Sequence, residues 1–242
     1  MKFEFSDAAT FQEYFGSAHK MVRRSVKEFV DKEIVPHVDE WEEVNEFPRD
    51  LYKKAGDVGI LGIGYPEEYG GTPGDIFFQV AAWEEIMRCG SGGIAAGLGS
   101  LNIAIPPILS HGTAAQKDRF ARPVILGDRI AALAITEPGG GSDVASLQTT
   151  AVREDDHYVV NGSKTFITSG CRADQITCAV RTGDEGAQGI SLLVIEAGTP
   201  GYSVSEKLKK TGWWASDTAQ IFFDNCKVPV DNLIGEENLG FY

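Results

Sequence analysis

From Ser17 onward, apolar side chains fall at Val22, Val26, Phe29, Val30, Ile34, Val38 and Trp41. Those steps of three and four trace one stripe of a helix, and Arg23, Lys27, Asp31 and Glu42 lie off it. Pro36 interrupts the stripe and is expected to kink or end the helix. Pro48 opens a second helix through Leu51, with Gly56 and Gly59 as expected stops. After the loop-forming run PEEYGGTPGD at 66–75, a further helix starts near Asp75 and carries Phe77, Phe78, Val80, Ala81, Trp83 and Ile86. Residues 90–112 are small and apolar on all sides, the pattern of a central helix packed by neighbours and broken by Pro106 and Pro107. Thr113 and Gln116 have the spacing of a capping box that starts another helix towards Phe120 and Ile125.

After Asp128 the period changes from 3.6 to two. HYVVNGSKTFIT (157–168) has two β-rich runs around Asn161-Gly162, the signal of a hairpin. QITCAV (175–180), GISLLVIE (189–196) and TAQIFF (218–223) read as further strands, and no helical pattern separates them. The predicted fold is therefore α+β: an all-helical domain over 1–128, then an antiparallel β-barrel or sandwich over 129–242. The chain stops at Gly240-Phe241-Tyr242 with no polar tail or cap, which hints at a truncated protein and leaves a natural end open.

Composition narrows the function. The net charge is -13, from 22 Lys+Arg against 35 Asp+Glu. Residues 1–128 carry 13 basic and 20 acidic side chains, and 129–242 carry 9 and 15. Neither half attracts a phosphate backbone, so nucleic acid is excluded as the expected partner. Cys89, Cys171, Cys178 and Cys226 form no C-x-x-C pair and the four histidines are scattered, so no metal site is predicted. Free thiols and the absence of a basic-then-apolar leader point to a cytoplasmic protein. No apolar run approaches the roughly 20 residues that a membrane span needs.

The sharpest local feature is AITEPGGGSDVASLQTT (134–150), in which Gly139, Gly140 and Gly141 are consecutive. Three glycines are costly in backbone entropy. A dinucleotide fold would require G-x-G-x-x-G running into a helix, but here the chain continues into Thr149, Thr150 and Val152, which favour strand. A plain turn capped by Ser142 and Asp143 and a ligand-facing loop both remain open on the residues alone.

Other motifs bear on that choice. ALAITEPGGGSD (132–143), VVNGSKTFITSG (159–170), VPVDNLIGEENLGF (228–241), YPEEYGG (65–71) and HGTAAQKDRFARPVILGD (111–128) together resemble the acyl-CoA dehydrogenase family, in the family's order, from about Ala18 onward. GDIFFQVAAWEE and GEENLGFY look most like its long-chain branch. The resemblance implies FAD bound between a β domain and helical domains. Leu133, Ala134, Ile135, Thr136, Glu137, Pro138, Gly139, Gly140, Gly141 and Ser142 match the strand and loop along the flavin. Ile135 and Thr136 match positions at the pyrimidine edge, and Gly141 and Ser142 match positions at the pyrophosphate. Phe166, Ile167 and Thr168 match the second flavin segment, with Thr168 near N5. Many relatives have Trp where Phe166 stands and Asn where Ser169 stands. Ser142, Ala187, Gln188 and Tyr242 match acyl-CoA-contacting positions. Read without the resemblance, Thr136 and Thr168 are strand formers, Phe166 is core, and Trp213 and Trp214 are aromatic packing beside a turn.

The implied chemistry is α,β-dehydrogenation of an acyl-CoA thioester, as in fatty-acid β-oxidation. A glutamate removes the α-proton while the β-hydrogen passes with its electron pair to flavin N5, and electron-transfer flavoprotein then reoxidises the flavin. In the family the glutamate sits in a C-terminal four-helix domain. It is expected beyond Tyr242, and the 242-residue chain alone is expected to be inactive. Glu137 lies beside the flavin segment but has no base role in the family motif. Members are usually homotetramers. The competing expectations are an acyl-CoA oxidase or flavin monooxygenase relative, and a non-catalytic CoA- or flavin-binding module.

Overall fold

The stripe that starts at Ser17 forms a helix, α1 (Ser17–Phe29), which buries Val26 and Phe29. In the computed structural model, which describes residues 12–242, Pro36 acts one turn before its own position. The winding loosens to a π turn over Val30–Ile34, tightens to a 3-10 turn over Val35–His37, and resumes as α2 (Val38–Glu43). Proline lacks an N–H and its ring excludes the carbonyl four residues back, so the preceding turn must widen. Val30 and Ile34 stay buried throughout.

Helix α3 (Asp50–Asp57) follows. Gly56, expected as a stop, lies inside it, where a Cβ would collide with the Leu126 carbonyl. Close approach, not termination, explains that glycine. The chain turns out of α3 at Gly59 (φ 76°), as expected. Helix α4 (Ile76–Met87) begins at Asp75, whose carboxylate accepts the Phe77 N–H at 2.9 Å. It packs on α1, and its buried Glu85 is held by Arg23 (3.3 Å) and Arg88 (2.9 Å).

The expected central helix over 90–112 is instead three: α5 (Gly92–Leu98), α6 (Leu101–Ala104) and α7 (Pro106–His111). Gly97 and Gly99 weaken the first junction, and Pro106 and Pro107 occupy the opening positions of α7. The capping box is present: Gln116 N–H donates to Thr113 Oγ1 (3.2 Å) and Thr113 N–H to Gln116 Oε1 (2.8 Å), opening α8 (Ala114–Gln116).

Among the described residues eight strands make one sheet: β1 (Ala131–Ala134), β2 (Thr150–Glu154), β3 (His157–Thr168), β4 (Gln175–Arg181), β5 (Ile190–Glu196), β6 (Tyr202–Val204), β7 (Thr218–Pro229) and β8 (Leu233–Ile234). The order is β6-β7-β3-β2-β4-β5-β8, with β1 beside β4. The sheet is mostly antiparallel, but β1 runs parallel to β4 (Ala131↔Gln175), and Thr150 of β2 meets Arg181 of β4 in a parallel pair. The β1–β4 pair comes from the long crossover between those strands and the β2–β4 pair from the passage through β3, neither of which a period-two pattern encodes.

Asn161-Gly162 does not turn the chain. Strand β3 runs through it as a bulge, with a register shift against β7 between Val160 and Gly162. Gly162 has φ 141°, and a Cβ there would stand 2.7 Å from Thr149 Oγ1. The hairpin turns at Asp155-Asp156 instead, where Glu154 pairs with His157 and Asp155 has φ 50°. Pairing of β3 with β7 along its length outweighs the local turn preference. Asn161 Oδ1 secures that pairing by accepting the Asn225 N–H at 2.8 Å.

By contact, the chain divides into two compact units that do not follow sequence order. One holds the described residues up to Leu98 together with Ile125–Asp128 and Lys210–Ser216. The other holds Gly99–Val124, Arg129–Lys209 and Asp217–Tyr242. Within the first, Trp213 (φ 56°) lies against Gly92, and Trp214 Nε1 donates to the Lys210 carbonyl at 2.9 Å. Both rings remain substantially exposed, so the packing expected for them is only partial. In the second unit β4 is buried along most of its length, and its polar side chains reach helical carbonyls: Thr177 Oγ1 donates to Ala104 and Gln175 Nε2 to Phe120, each at 2.7 Å.

Candidate functional site

All the residues singled out from the glycine run, TFIT and the 187–188 turn lie in the sheet-containing unit, as does Tyr242. Strand β1 ends at Ala134, and Ile135 and Thr136 continue past it. The Thr165 N–H donates to the Thr136 carbonyl at 2.8 Å, which seats the first segment beside the second. Lys164 fixes the same place from below. Its side chain is 0% exposed, and Nζ bonds the Ile135 carbonyl (3.0 Å) and Glu137 Oε1 (2.8 Å). The other contacts of Glu137 are the amides of Gln148 (2.6 Å) and Thr149 (2.8 Å). Burial works against the Glu137 charge, but Lys164 and the two amides outweigh it and hold the carboxyl below its ordinary range. A carboxylate so engaged is a brace for the loop, not a free base.

The loop then runs outward. Glu137 and Gly140 exchange two backbone hydrogen bonds, of 3.0 and 3.1 Å. None of Gly139, Gly140 and Gly141 has a positive φ. A Cβ at Gly139 or Gly140 would meet nothing within 4 Å. The folded chain therefore has no internal need for glycine at those two positions, and their bare backbone faces open space together with exposed Pro138 and Ser142.

Phe166 stands out of β3. The register against β7 shifts between Lys164 and Ile167, and Phe166 at the bulge has φ 58° and is 68% exposed. That overturns the core reading of Phe166, and a left-handed bulky residue is a strained one. Thr165 and Ile167 on either side are buried. Thr136 and Thr168 are half-buried, and among the described residues neither hydroxyl has a hydrogen-bond partner. Ala134 and Ile167 have buried side chains and Leu133 is half-buried, so Ala134 and Ile167 present backbone at most. Ser169 (φ 62°) is fully buried, with an unpartnered Oγ. Bare backbone, two hydroxyls and one exposed ring thus lie along the same pair of segments.

Three further segments gather at the Arg181 end of β4. Arg181 ties the stretch after Ser142 to the turn before Ala187. Its Nε donates to Leu147 O (3.0 Å), Nη2 to Ala145 O (2.7 Å), and Nη1 to Gly186 O (3.2 Å) and Asp184 O. Ala187 and Gln188 then open a 3-10 turn, Ala187–Gly189. Thr182 Oγ1 donates to Asn238 Oδ1 (2.8 Å) and Asn238 N–H to Ser191 Oγ (2.7 Å), which draws the segment bearing Tyr242 alongside. Beneath them Leu147, Ala179 and Ile190 pack with Ile135, Val144 and Leu192. Sequence reasoning missed Lys164, Arg181 and Asn238. Their contacts join residues far apart in the chain, and no local spacing signals them.

Family comparison decides the assignment. The model of the acyl-CoA dehydrogenase N-terminal domain matches residues 16–128, and that of the acyl-CoA dehydrogenase middle domain matches 132–226. The chain belongs to the acyl-CoA dehydrogenase family. A relative of this acyl-CoA dehydrogenase family member is the mouse (Mus musculus) long-chain specific acyl-CoA dehydrogenase, mitochondrial, 40% identical over 231 residues that make up 94% of this chain and 54% of the mouse protein. The crystal structure of a putative acyl-CoA dehydrogenase from Mycobacterium smegmatis superposes with a TM-score of 0.93 at 46% identity, over 95% of this chain and 61% of that one. An acyl-CoA dehydrogenase from Bacillus anthracis, whose structure is complexed with FAD, gives a TM-score of 0.87 at 33% identity over 95% and 39%. The chain thus spans about half the length of the curated relative it matches. Among the described residues, no single helix is long and apolar enough to cross a membrane, and no group of three His, Cys, Asp or Glu is placed to hold a metal ion.

Proposed function

We propose that this chain is the N-terminal and middle portion of a flavin enzyme that oxidises an acyl-CoA thioester to its trans-2-enoyl-CoA. The observation that carries the reading is the outward backbone of Gly139 and Gly140 beside Thr136, Phe166 and Thr168, on a chain of this family. That donor set fits FAD. Backbone N–H groups of 139–142 would hold the pyrophosphate, Ile135 and Thr136 the pyrimidine edge, and Phe166, Ile167 and Thr168 the opposite side. When bound, FAD takes up the electron pair that leaves with the β-hydrogen. The hydroxyls of Thr136 and Thr168, without partners among the described residues, are left to donate where negative charge accumulates. Lys164 and Glu137 hold that edge still. Ser142, Ala187, Gln188 and Tyr242 are proposed to line the path of the acyl-CoA.

The α-proton requires a base. Glu137 is engaged by Lys164 and two amides, so the base is proposed to be a glutamate beyond Tyr242, and the 242-residue chain alone to lack dehydrogenase activity. Electron-transfer flavoprotein is proposed as acceptor and a homotetramer as the full-length assembly. An acyl chain of long-chain class is the first substrate to test, since the mouse relative carries that name. Full-length protein, purified with its flavin, should convert a saturated acyl-CoA to a product lighter by two hydrogens when electron-transfer flavoprotein is supplied. Reoxidation by air that outpaces reoxidation by electron-transfer flavoprotein would instead assign an oxidase. Flavin-loaded full-length protein that leaves every acyl-CoA unchanged would end the reading.

A further inference from the structure

Arg181 closes β4 at the point where two proposed substrate loops meet. Its side chain is half-buried, and its four hydrogen bonds among the described residues all go to backbone carbonyls: Ala145 and Leu147 on one loop, Asp184 and Gly186 on the other. Among the described residues no carboxylate lies within ion-pair distance of it, so its partners are loop positions and not a counter-charge. The adjoining backbone is pinned as well, with the Arg181 N–H donating to Thr149 O at 2.7 Å. Ser142 lies three residues before Ala145 in the chain, and Ala187 directly follows Gly186.

We propose that Arg181 is a positioning residue for the acyl-CoA: its guanidinium spaces the loop bearing Ser142 from the loop bearing Ala187 and Gln188, and so sets substrate affinity. The inference rests on the function proposed above. A planar fork with five donors in fixed directions can hold two loops at once, whereas the three donors of an ammonium radiate from one point. Lysine therefore keeps the charge and only part of the spacing, since it can hold one loop but not both in the same geometry. The flavin segments are braced separately by Lys164, so loosening Arg181 acts on substrate and leaves flavin in place.

The test uses full-length, FAD-loaded protein with Arg181→Met and Arg181→Lys, measuring flavin content, thermal stability, kcat and KM for an acyl-CoA, and calorimetric Kd for free coenzyme A. In Arg181→Met both KM and Kd should rise at least about tenfold while kcat changes by less than about threefold. Flavin per protomer should match wild type, and Arg181→Lys should fall between the two. Should Arg181→Met fail to fold, Arg181→Lys alone decides, by the same ratio of KM to kcat. KM and Kd within about twofold of wild type, or losses that track flavin content, would overturn the proposal. Wild-type protein that binds neither coenzyme A nor acyl-CoA would instead overturn the parent reading.

Discussion

Lys164 Nζ lies 2.8 Å from Glu137 Oε1, and the lysine side chain is wholly buried. A buried pair is not a large net source of stability against an apolar alternative, but removing one partner strands the other's charge. Lys164→Met should therefore destabilise the protein by about 3–5 kcal/mol, as should Glu137→Gln to a smaller extent. The double substitution should cost less than the sum of the two by more than about 1 kcal/mol. Urea unfolding of the four proteins measures this, and strict additivity would mean that the contact carries no coupling.

Acid should weaken the same brace. A carboxyl whose folded pKa is depressed stabilises the fold above its unfolded pKa, and that contribution is lost as pH falls through the folded value. For Glu137 the window lies below the ordinary value of 4.5. The stability advantage of wild type over Glu137→Gln should be full at pH 6 to 7 and shrink as pH is lowered towards 3. Denaturant melts across that range check it, and an advantage that grows on acidification would reverse the assignment.

Glycines offer a cleaner separation of ligand from fold. Gly139→Ala and Gly140→Ala place a methyl in open space, so the flavin-free protein should keep its stability to within about 0.5 kcal/mol. FAD affinity should fall about tenfold or more, some 1.4 kcal/mol. Gly162→Ala, at φ 141° and against Thr149, should cost about 1–3 kcal/mol of stability through strain. Paired thermal melts and flavin titrations distinguish the two kinds of glycine.

Gln116 joins a local motif to a distant one. Besides closing the capping box with Thr113, its Nε2 donates to the carbonyls of Asp231 and Leu233, each at 2.7 Å. Gln116→Leu should strand those carbonyls and cost about 1–3 kcal/mol. Thr113→Ala, which removes only the cap, should cost about 1 kcal/mol. Equal losses would show that the distant bonds add nothing.

What could be read from the chain, and what could not, follows the range of the interactions. Periodicity located α1, α4, β4, β5 and the first half of β7, because burial of one face is a local property, while the short β6 and β8 carry too few residues to show a period. The capping box at Thr113 and Gln116 was legible for the same reason, but the reach of Gln116 to residues 231–233 was not. Asn161-Gly162 carried a hairpin signal and became a bulge, since β3 gains more by pairing with β7 throughout than by turning. Pro106 was seen as a break, while the Gly97–Gly99 break was hidden within an apolar run. At the site, the motif resemblance supplied every candidate position, and composition alone would have placed Phe166 in the core. The devices that hold those positions together, Lys164 and Arg181, connect segments tens of residues apart and became visible only in three dimensions.

The most direct test of the account is an anaerobic titration of the full-length flavoprotein with a long-chain acyl-CoA, followed through the visible absorption of the flavin. Bleaching that saturates at one acyl-CoA per flavin, with enoyl-CoA recovered in equal amount, is the result predicted. A flavin spectrum that stays fully oxidised with acyl-CoAs of short, medium and long chain would contradict it.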